Sequence, residues 1–225
     1  MLTADKKRAG ESTREYALRI LKSNIITNGL EPGAAISENE LAAQLGISRT
    51  PIREALIELA KVSLIETYPQ RGSYISRIDP KMVEEARFLR RVLDTAVIEA
   101  ACETSNEKGL ALIEENVSLQ EFFLSRDMTE RILDLDNEFH RLIYSMVEKD
   151  IVYEMSSTLM IHFDRVRSLS FESVKDLKVV SEHRQMLEAI KAGDSSKARV
   201  LVQQHLGHYR VDEKVIREQY PDYFK

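Results

Sequence analysis

Apolar residues recur at helical spacing along most of this chain, and β-prone runs are confined to its first third. From Thr13 to Thr27, Tyr16, Ala17, Ile20, Leu21 and Asn24 fall on one side of a helix that Asn28-Gly29 ends. Leu30-Glu31-Pro32-Gly33 reads as a turn into a strand-like Ala34-Ala35-Ile36. Ser37 is placed to cap a helix over Glu38–Leu45, with Glu40 completing a capping box and Gly46 supplying the left-handed stop. Ser48 is placed to cap the next helix, whose first turn tolerates Pro51. Its Ile52, Ala55, Leu56 and Leu59 make one buried stripe. Arg49, Thr50 and Arg53 face elsewhere, roughly 100° or more from the middle of that stripe. Leu64–Tyr68 and Ser73–Ser76 flank Pro69-Gln70-Arg71-Gly72, predicting a β-hairpin with a basic tip.

Beyond Ser76 the pattern is helical throughout. Arg77-Ile78-Asp79-Pro80 reads as a linker, with Asp79 capping and Pro80 at the first position of a new helix. Six helices are expected: Pro80–Glu103, Glu107–Ser125, Thr129–Glu148, Ile151–Ser170, Val174–Ala192 and Ser195–Tyr209, the last extending towards Glu218. The fold class is therefore mainly α. A flexible arm over residues 1–12 precedes a small helical domain with a β wing over 13–76. An all-α antiparallel bundle fills 77–225.

Charge limits where a polyanion can bind. The net charge is −5, with 10 basic against 9 acidic residues through Ser76 and 22 against 28 beyond it. An acidic body repels nucleic acid, so contact is restricted to the helix bearing Arg49 and Arg53 and to the hairpin tip. Lys6, Lys7 and Arg8 read as part of a solvated tail. The single cysteine, Cys102, lies in an apolar helical run and reads as a small buried hydrophobe. The absence of any apolar run of membrane length or signal-type start predicts a soluble, cytoplasmic protein without membrane contact.

Two short helices joined by a Gly turn, the second with outward Arg and Thr at its start, form a helix-turn-helix, and the hairpin is its wing. Candidate DNA contacts are Ser48, Arg49, Thr50 and Arg53, with Arg71 and Gly72 at the wing tip. In the bundle, the informative residues are polar ones on apolar faces. Asp136 and His140 edge the stripe of Ile132, Leu135, Phe139, Leu142, Ile143 and Met146. His183 lies among Val180, Met186, Leu187 and Ile190, and His205 among Ala198, Leu201, Val202 and Tyr209. His162 also faces inward, and His208 lies on a flank. In the first bundle helix Met82, Ala86, Leu89, Leu93, Val97 and Ala100 are expected to be buried, with Arg90 projecting beside them. Three inward imidazoles and a carboxylate need partners, because burying them unpaired is costly. A divalent metal satisfies all four, while separately satisfied core residues are the other reading; periodicity leaves both open.

The string Ser48-Arg49-Thr50-Pro51-Ile52-Arg53-Glu54-Ala55-Leu56 resembles the recognition helix of the GntR family of bacterial transcription regulators. The resemblance runs from the first helix through the wing and implies that the Ala34–Ile36 strand pairs with it. It departs at Asn39, where many members carry an Arg that touches DNA. The bundle resembles the FCD ligand-binding domain of the FadR subfamily, in which many members carry Asp-x-x-x-His on one helix and one His on each of two later helices. Asp136, His140, His183 and His205 fill that pattern, and six helices match the smaller VanR-like type. The resemblance implies a divalent metal (Zn, Ni or Mn), a small organic acid effector and a homodimer on double-stranded DNA; Arg90 is read as holding that acid or as half of an internal salt bridge. The operator is expected to be a short inverted repeat. His162 is read as a pocket residue or a core histidine. A metal-dependent enzyme with a DNA-binding appendage is the competing reading, but Glu138, the one further acid near the ligands, falls on the opposite side of its helix. No catalytic residue is therefore expected. A third reading is a constitutive DNA-binding protein with a structural metal.

Overall fold

The computed structural model describes residues 2–126, 128, 131–173, 178–207 and 209–225. The chain packs as two compact units, Met1–Met82 with Arg217–Lys225, and Val83–Ile216.

The first unit contains α1 (Thr13–Ile26), α2 (Glu38–Leu45) and α3 (Arg49–Lys61) with strands β1 (Ala35–Ile36), β2 (Ile65–Tyr68) and β3 (Gly72–Ile75). The strands form an antiparallel sheet in the order β1-β3-β2. Helix α1 packs along α3, and Ala17, Ile20, Leu21, Ile52, Ala55 and Leu59 join Ile65 and Ile75 of the sheet as buried core. Tyr68 pairs opposite Gly72, leaving Pro69-Gln70-Arg71 as a three-residue loop. Gly72 re-enters the sheet at φ 94°, where a side chain would be strained.

The caps differ from the sequence expectation. The complete capping box is at α1, where Ser12 and Glu15 exchange side-chain and backbone bonds. At α2 only the Glu40 N–H to Ser37 hydroxyl bond forms, and Ser48 occupies the cap position of α3 without a side-chain bond.

The arm is tethered rather than free. The Thr3 N–H donates to Asn24 Oδ1 (2.9 Å), and Asn24 Nδ2 donates back to the Thr3 carbonyl (2.8 Å). Asn24 is buried, and a buried amide needs such partners. The end of the stretch expected to lie in the bundle also returns to this unit. Ile78 N–H donates to the Tyr223 carbonyl (2.8 Å) and Lys225 N–H to the Ile78 carbonyl (3.0 Å), making a parallel β-bridge between Ile78 and Phe224. The Phe224 ring is buried, with the Arg217 guanidinium 4.9 Å from its centroid, and Lys225 Nζ pairs with Glu66 at 2.9 Å.

The second unit is helical: α4 (Pro80–Cys102), α5 (Glu107–Ser125), α6 (Ile132–Met146), α7 (Asp150–Ser173), α8 (Lys178–Lys191), α9 (Ser195–His205) and α10 (Tyr209–Gln219), the first and last of which carry the chain between units. The expected helix starts at Thr129 and Val174, and His208, lie outside the described residues. The described helices of this part number seven rather than six, because the expected last helix divides after His205. There Leu206 caps α9 and the Gly207 N–H turns back to the Gln204 carbonyl at 2.9 Å.

On α4 the buried stripe is rotated from the expected one: Val83, Ala86, Arg87, Arg90, Asp94, Val97, Ile98 and Ala101 face inward and Ala100 is exposed. Arg90 and Asp94 take the middle of the face, a place a pattern of apolar residues cannot announce. The core is built on Phe139, Ile143, Met186, Leu187, Ile190, Ala198 and Val202. Among the described residues no helix is long and apolar enough to cross a membrane.

Replacing Phe224 with Ala is expected to destabilise the first unit by roughly 3–5 kcal/mol, as for a core phenylalanine. Denaturant unfolding checks this, and an unchanged midpoint would show that the returning segment contributes nothing to the fold.

Candidate functional site

Two groups of residues stand apart from ordinary core and surface. The first is at the start of α3. Ser48, Arg49, Thr50 and Arg53 are exposed there, as are Arg71 and Gly72 at the hairpin tip. The stripe of Ile52, Ala55, Leu56 and Leu59 anchors α3 from behind, leaving Arg49, Thr50 and Arg53 on its outer side. Arg49 and Arg53 both pair with Glu38, the first residue of α2, at 3.1 Å.

The second group lies inside the helical unit. Asp136 and His140 are one turn apart on α6, His183 comes from α8 and His205 from α9. One ligand atom from each lies within 4.8 Å of all the others. Each imidazole is held from behind through Nδ1. His140 Nδ1 meets Asp94 (3.0 Å), His183 Nδ1 meets Gln120 Oε1 (2.7 Å) and His205 Nδ1 meets Glu182 (2.9 Å). A carboxylate or an amide oxygen only accepts, so Nδ1 carries the proton in all three rings. The Gln120 amide is itself oriented, because its Nε2 donates to Asn116 Oδ1 at 2.7 Å. The three Nε2 atoms are thus turned towards Asp136, 3.7 Å from one of its oxygens for His140 and His183 and 4.0 Å for His205.

These residues fit a divalent ion. The Nε2 atoms of His140 and His183 are buried with no hydrogen-bond partner among the described residues. An orphaned buried acceptor of this kind is costly unless something electrophilic occupies the space it faces. Metal–ligand bonds of about 2.0–2.2 Å permit ligand atoms up to about 4.3 Å apart, so contraction by a few tenths of an ångström would close the set. Three imidazoles and one carboxylate, each steadied by a second partner, are a donor set for several divalent ions.

Electrostatics prepare the same state. Burial pushes Asp136 up, but Arg167, His183, His140 and Arg90 outweigh it and hold the carboxyl well below the usual range. Arg90 Nη2 donates to Asp136 Oδ2 at 3.3 Å, and Arg167 donates to the same oxygen. Oδ1 is left facing His183 and His205. Burial lowers His183 well below its ordinary value, and burial together with the charge of Arg90 lowers His140 to about 4.

A cavity of about 80 Å³ opens beside the cluster, lined by Arg90, Asp136, Arg167, His205, Phe163 and Ser170 among others. Two of the four candidate ligands and two guanidiniums therefore border one space. Of the residues read from sequence, Asp136, His140, His183, His205 and Arg90 come together here. His162 does not line the cavity; it is buried on α7, one residue from the face that carries Phe163, Arg167 and Ser170. Glu138 pairs with Arg141 on the partly exposed side of α6. Arg167, Gln120 and Glu182 were missed, as was the pairing of Asp94 with His140. Arg167 follows Phe163 by four positions within an inward run, a spacing that flags it, whereas Gln120 reaches His183 from a different helix and has no local signature.

Known proteins bear on both groups. Residues 13–75 match the family model described as bacterial regulatory proteins, gntR family, and residues 85–208 match the FCD domain. The chain is 33% identical over 217 residues, 96% of it and 91% of the relative, to an uncharacterized HTH-type transcriptional regulator in an unstable DNA locus of Streptomyces ambofaciens. It is 30% identical over 215 residues, 95% of it and 94% of the relative, to the HTH-type transcriptional repressor RspR of Escherichia coli. Among solved structures, McbR/YncC of Escherichia coli superposes with a TM-score of 0.79 at 22% identity, covering 93% of this chain and 99% of that one.

The lowered histidines predict a pH dependence for the metal-free protein. Their folded values lie below the ordinary 6.5. The unfolded chain therefore takes up protons first as pH falls, so this contribution is fully present above about pH 6.5 and lost progressively below it. The thermal midpoint of chelator-treated protein should drop between pH 7 and pH 5. A flat profile over that window would mean the two rings protonate as freely folded as unfolded.

Proposed function

Since this chain belongs to the GntR family and carries an FCD domain, it is a DNA-binding transcriptional regulator, and we propose that a small carboxylate beside a divalent ion controls its operator affinity. The observation that carries this reading is the cavity bordered by Arg90, Arg167, Asp136 and His205. A guanidinium fork pairs bidentately with a carboxylate, and two of them face the same small space. Bound at the four ligands, Zn, Ni or Mn would supply a Lewis-acidic position open to a carboxylate oxygen. Its relatives are transcriptional regulators and not enzymes.

One connection between the units is a helix of this site, and the other follows one. Arg90 and Asp94 lie on α4, which begins at Pro80 directly after the linker; His205 ends α9, and α10 then leads to Arg217–Lys225. An effector that draws Arg90 and Arg167 towards its own carboxylate loosens their hold on Asp136 and shifts α4. The coupling need only be about 1–3 kcal/mol to change DNA affinity several-fold.

On DNA the protein acts as a homodimer in the cytoplasm. One recognition helix and one wing give too small a contact for tight specific binding, whereas a two-fold pair doubles it on an inverted repeat. Phe88 and Val92 on α4 and Leu112 and Leu119 on α5 are exposed apolar residues of the first bundle helices, suited to a subunit interface.

Substituting His183 with Ala should abolish uptake of Zn, Ni and Mn by metal analysis. Arg167→Ala should retain the metal but lose the shift in melting temperature that organic acids cause in the native protein. If no acid shifts the melt of metal-loaded protein, the bundle is a structural support and the regulator is constitutive.

Arg49→Ala and Arg53→Ala should each weaken operator binding by roughly 1–3 kcal/mol if the arginine reads a base edge. Titration against a full inverted repeat and a single half-site should give two chains per repeat and much weaker half-site binding. Equal affinity for both duplexes would contradict the dimer, and full operator affinity in both variants would contradict the contacts.

A further inference from the structure

The DNA-contacting face carries a negative charge at its centre. Glu38 opens α2, and its carboxylate accepts from Arg53 Nε and Nη2 and from Arg49 Nη2, each at 3.1 Å. Both oxygens are used, and the three bonds span the turn between α2 and α3. The Glu38 side chain is 28% exposed, against 58% and 62% for the two arginines, so the acid lies beneath a pair of projecting guanidiniums. The carboxyl is held below its ordinary value, chiefly by the Arg53 bonds.

We propose that Glu38 is a specificity-determining residue that positions Arg49 and Arg53 for base reading and penalises their use on phosphate alone. This rests on the reading of α3 as the DNA-reading helix. A surface pair of this kind adds little to stability, so its consequence is sought in binding. A free arginine has many rotamers, and choosing one costs affinity at the moment of contact. The Glu38 fork makes that choice beforehand. By holding the Nε–Nη2 edge of Arg53, it leaves Nη1 and the outer hydrogen of Nη2 to meet an acceptor pair such as guanine O6 and N7.

The same carboxylate discriminates against the wrong duplex. On non-operator DNA the arginines gain only from phosphates, and a fixed negative charge between them cancels part of that gain. On the operator, bonds to base edges replace what the phosphates lose. The acid therefore lowers non-specific affinity more than specific affinity. A cytosine amino group next to the guanine is a further partner for a Glu38 oxygen, since it donates in the major groove.

The test uses the full-length protein, a duplex obtained by selection from random-sequence DNA, and a scrambled duplex of equal length, over a series of salt concentrations. Glu38→Gln should bind the scrambled duplex about tenfold more tightly, with a steeper salt dependence, and the ratio of selected to scrambled affinity should fall at least about tenfold. Glu38→Asp, one methylene shorter but still acidic at the start of α2, should fall between the two and guards against a folding defect in the Gln variant. In an Arg53→Ala background the Gln substitution should change the ratio much less, as coupled residues do. If Gln shifts both affinities by the same factor, Glu38 is only a background charge and the proposal fails. If the native protein itself prefers no selected duplex, the reading of α3 fails instead.

Discussion

A carboxylate that is 1% exposed must be paid for by its surroundings, and Asp136 is surrounded accordingly. Two guanidiniums donate to one of its oxygens, and three imidazoles converge beside it. Those partners come from α4, α6, α7, α8 and α9, so most of the helical unit is arranged around one acid. The imidazoles in turn are fixed by Asp94, Gln120 and Glu182, which adds α5 to the set. The arrangement is polar at the middle of an otherwise apolar bundle, and polar centres of this sort are either fully partnered or expensive. Apolar packing around it, as in the stacking of Phe139 on His183 at 4.0 Å, holds the rings in place without offering them a hydrogen bond.

Seen from the sequence, the ligands were easier to find than their support. Asp136 and His140 sit at helical spacing on an apolar face, and His183 and His205 interrupt other apolar faces, so each announces itself within its own helix. Arg90 was recognised, but α4 was turned by about one residue because the eye places Leu89 and Leu93 inside when Arg90 and Asp94 hold the centre. Charge at the middle of a buried face defeats a hydrophobic pattern for a physical reason: its burial is made possible by partners on other helices. Gln120 and Glu182 are invisible for the same cause. Each is an ordinary polar residue until its long-range partner is known.

The small domain was legible to the level of individual turns. Gly46, Gly72 and the stripe of Ile52, Ala55, Leu56 and Leu59 all follow from local rules. Apart from the side-chain bonds at the helix caps, what escaped was again non-local. The Thr3 bonds to Asn24 join α1 to a segment that reads as a solvated tail, and Phe224 lies far along the chain from the sheet it joins. Glu38 belongs with these. As a first-turn acid it has a sufficient local explanation in the helix dipole, which conceals its role between two arginines.

The returning segment also bears on how the protein is made. Phe224 and the bridge to Ile78 belong to the unit formed by the earliest residues, yet the whole helical unit is encoded between them. At about 5–20 residues per second a ribosome spends on the order of ten seconds on that interval. During it, α1–α3 and the sheet exist without their last buried ring, and the site that Phe224 will fill is open. The small domain thus waits, its core incomplete, until Phe224 has been made and has cleared the exit tunnel.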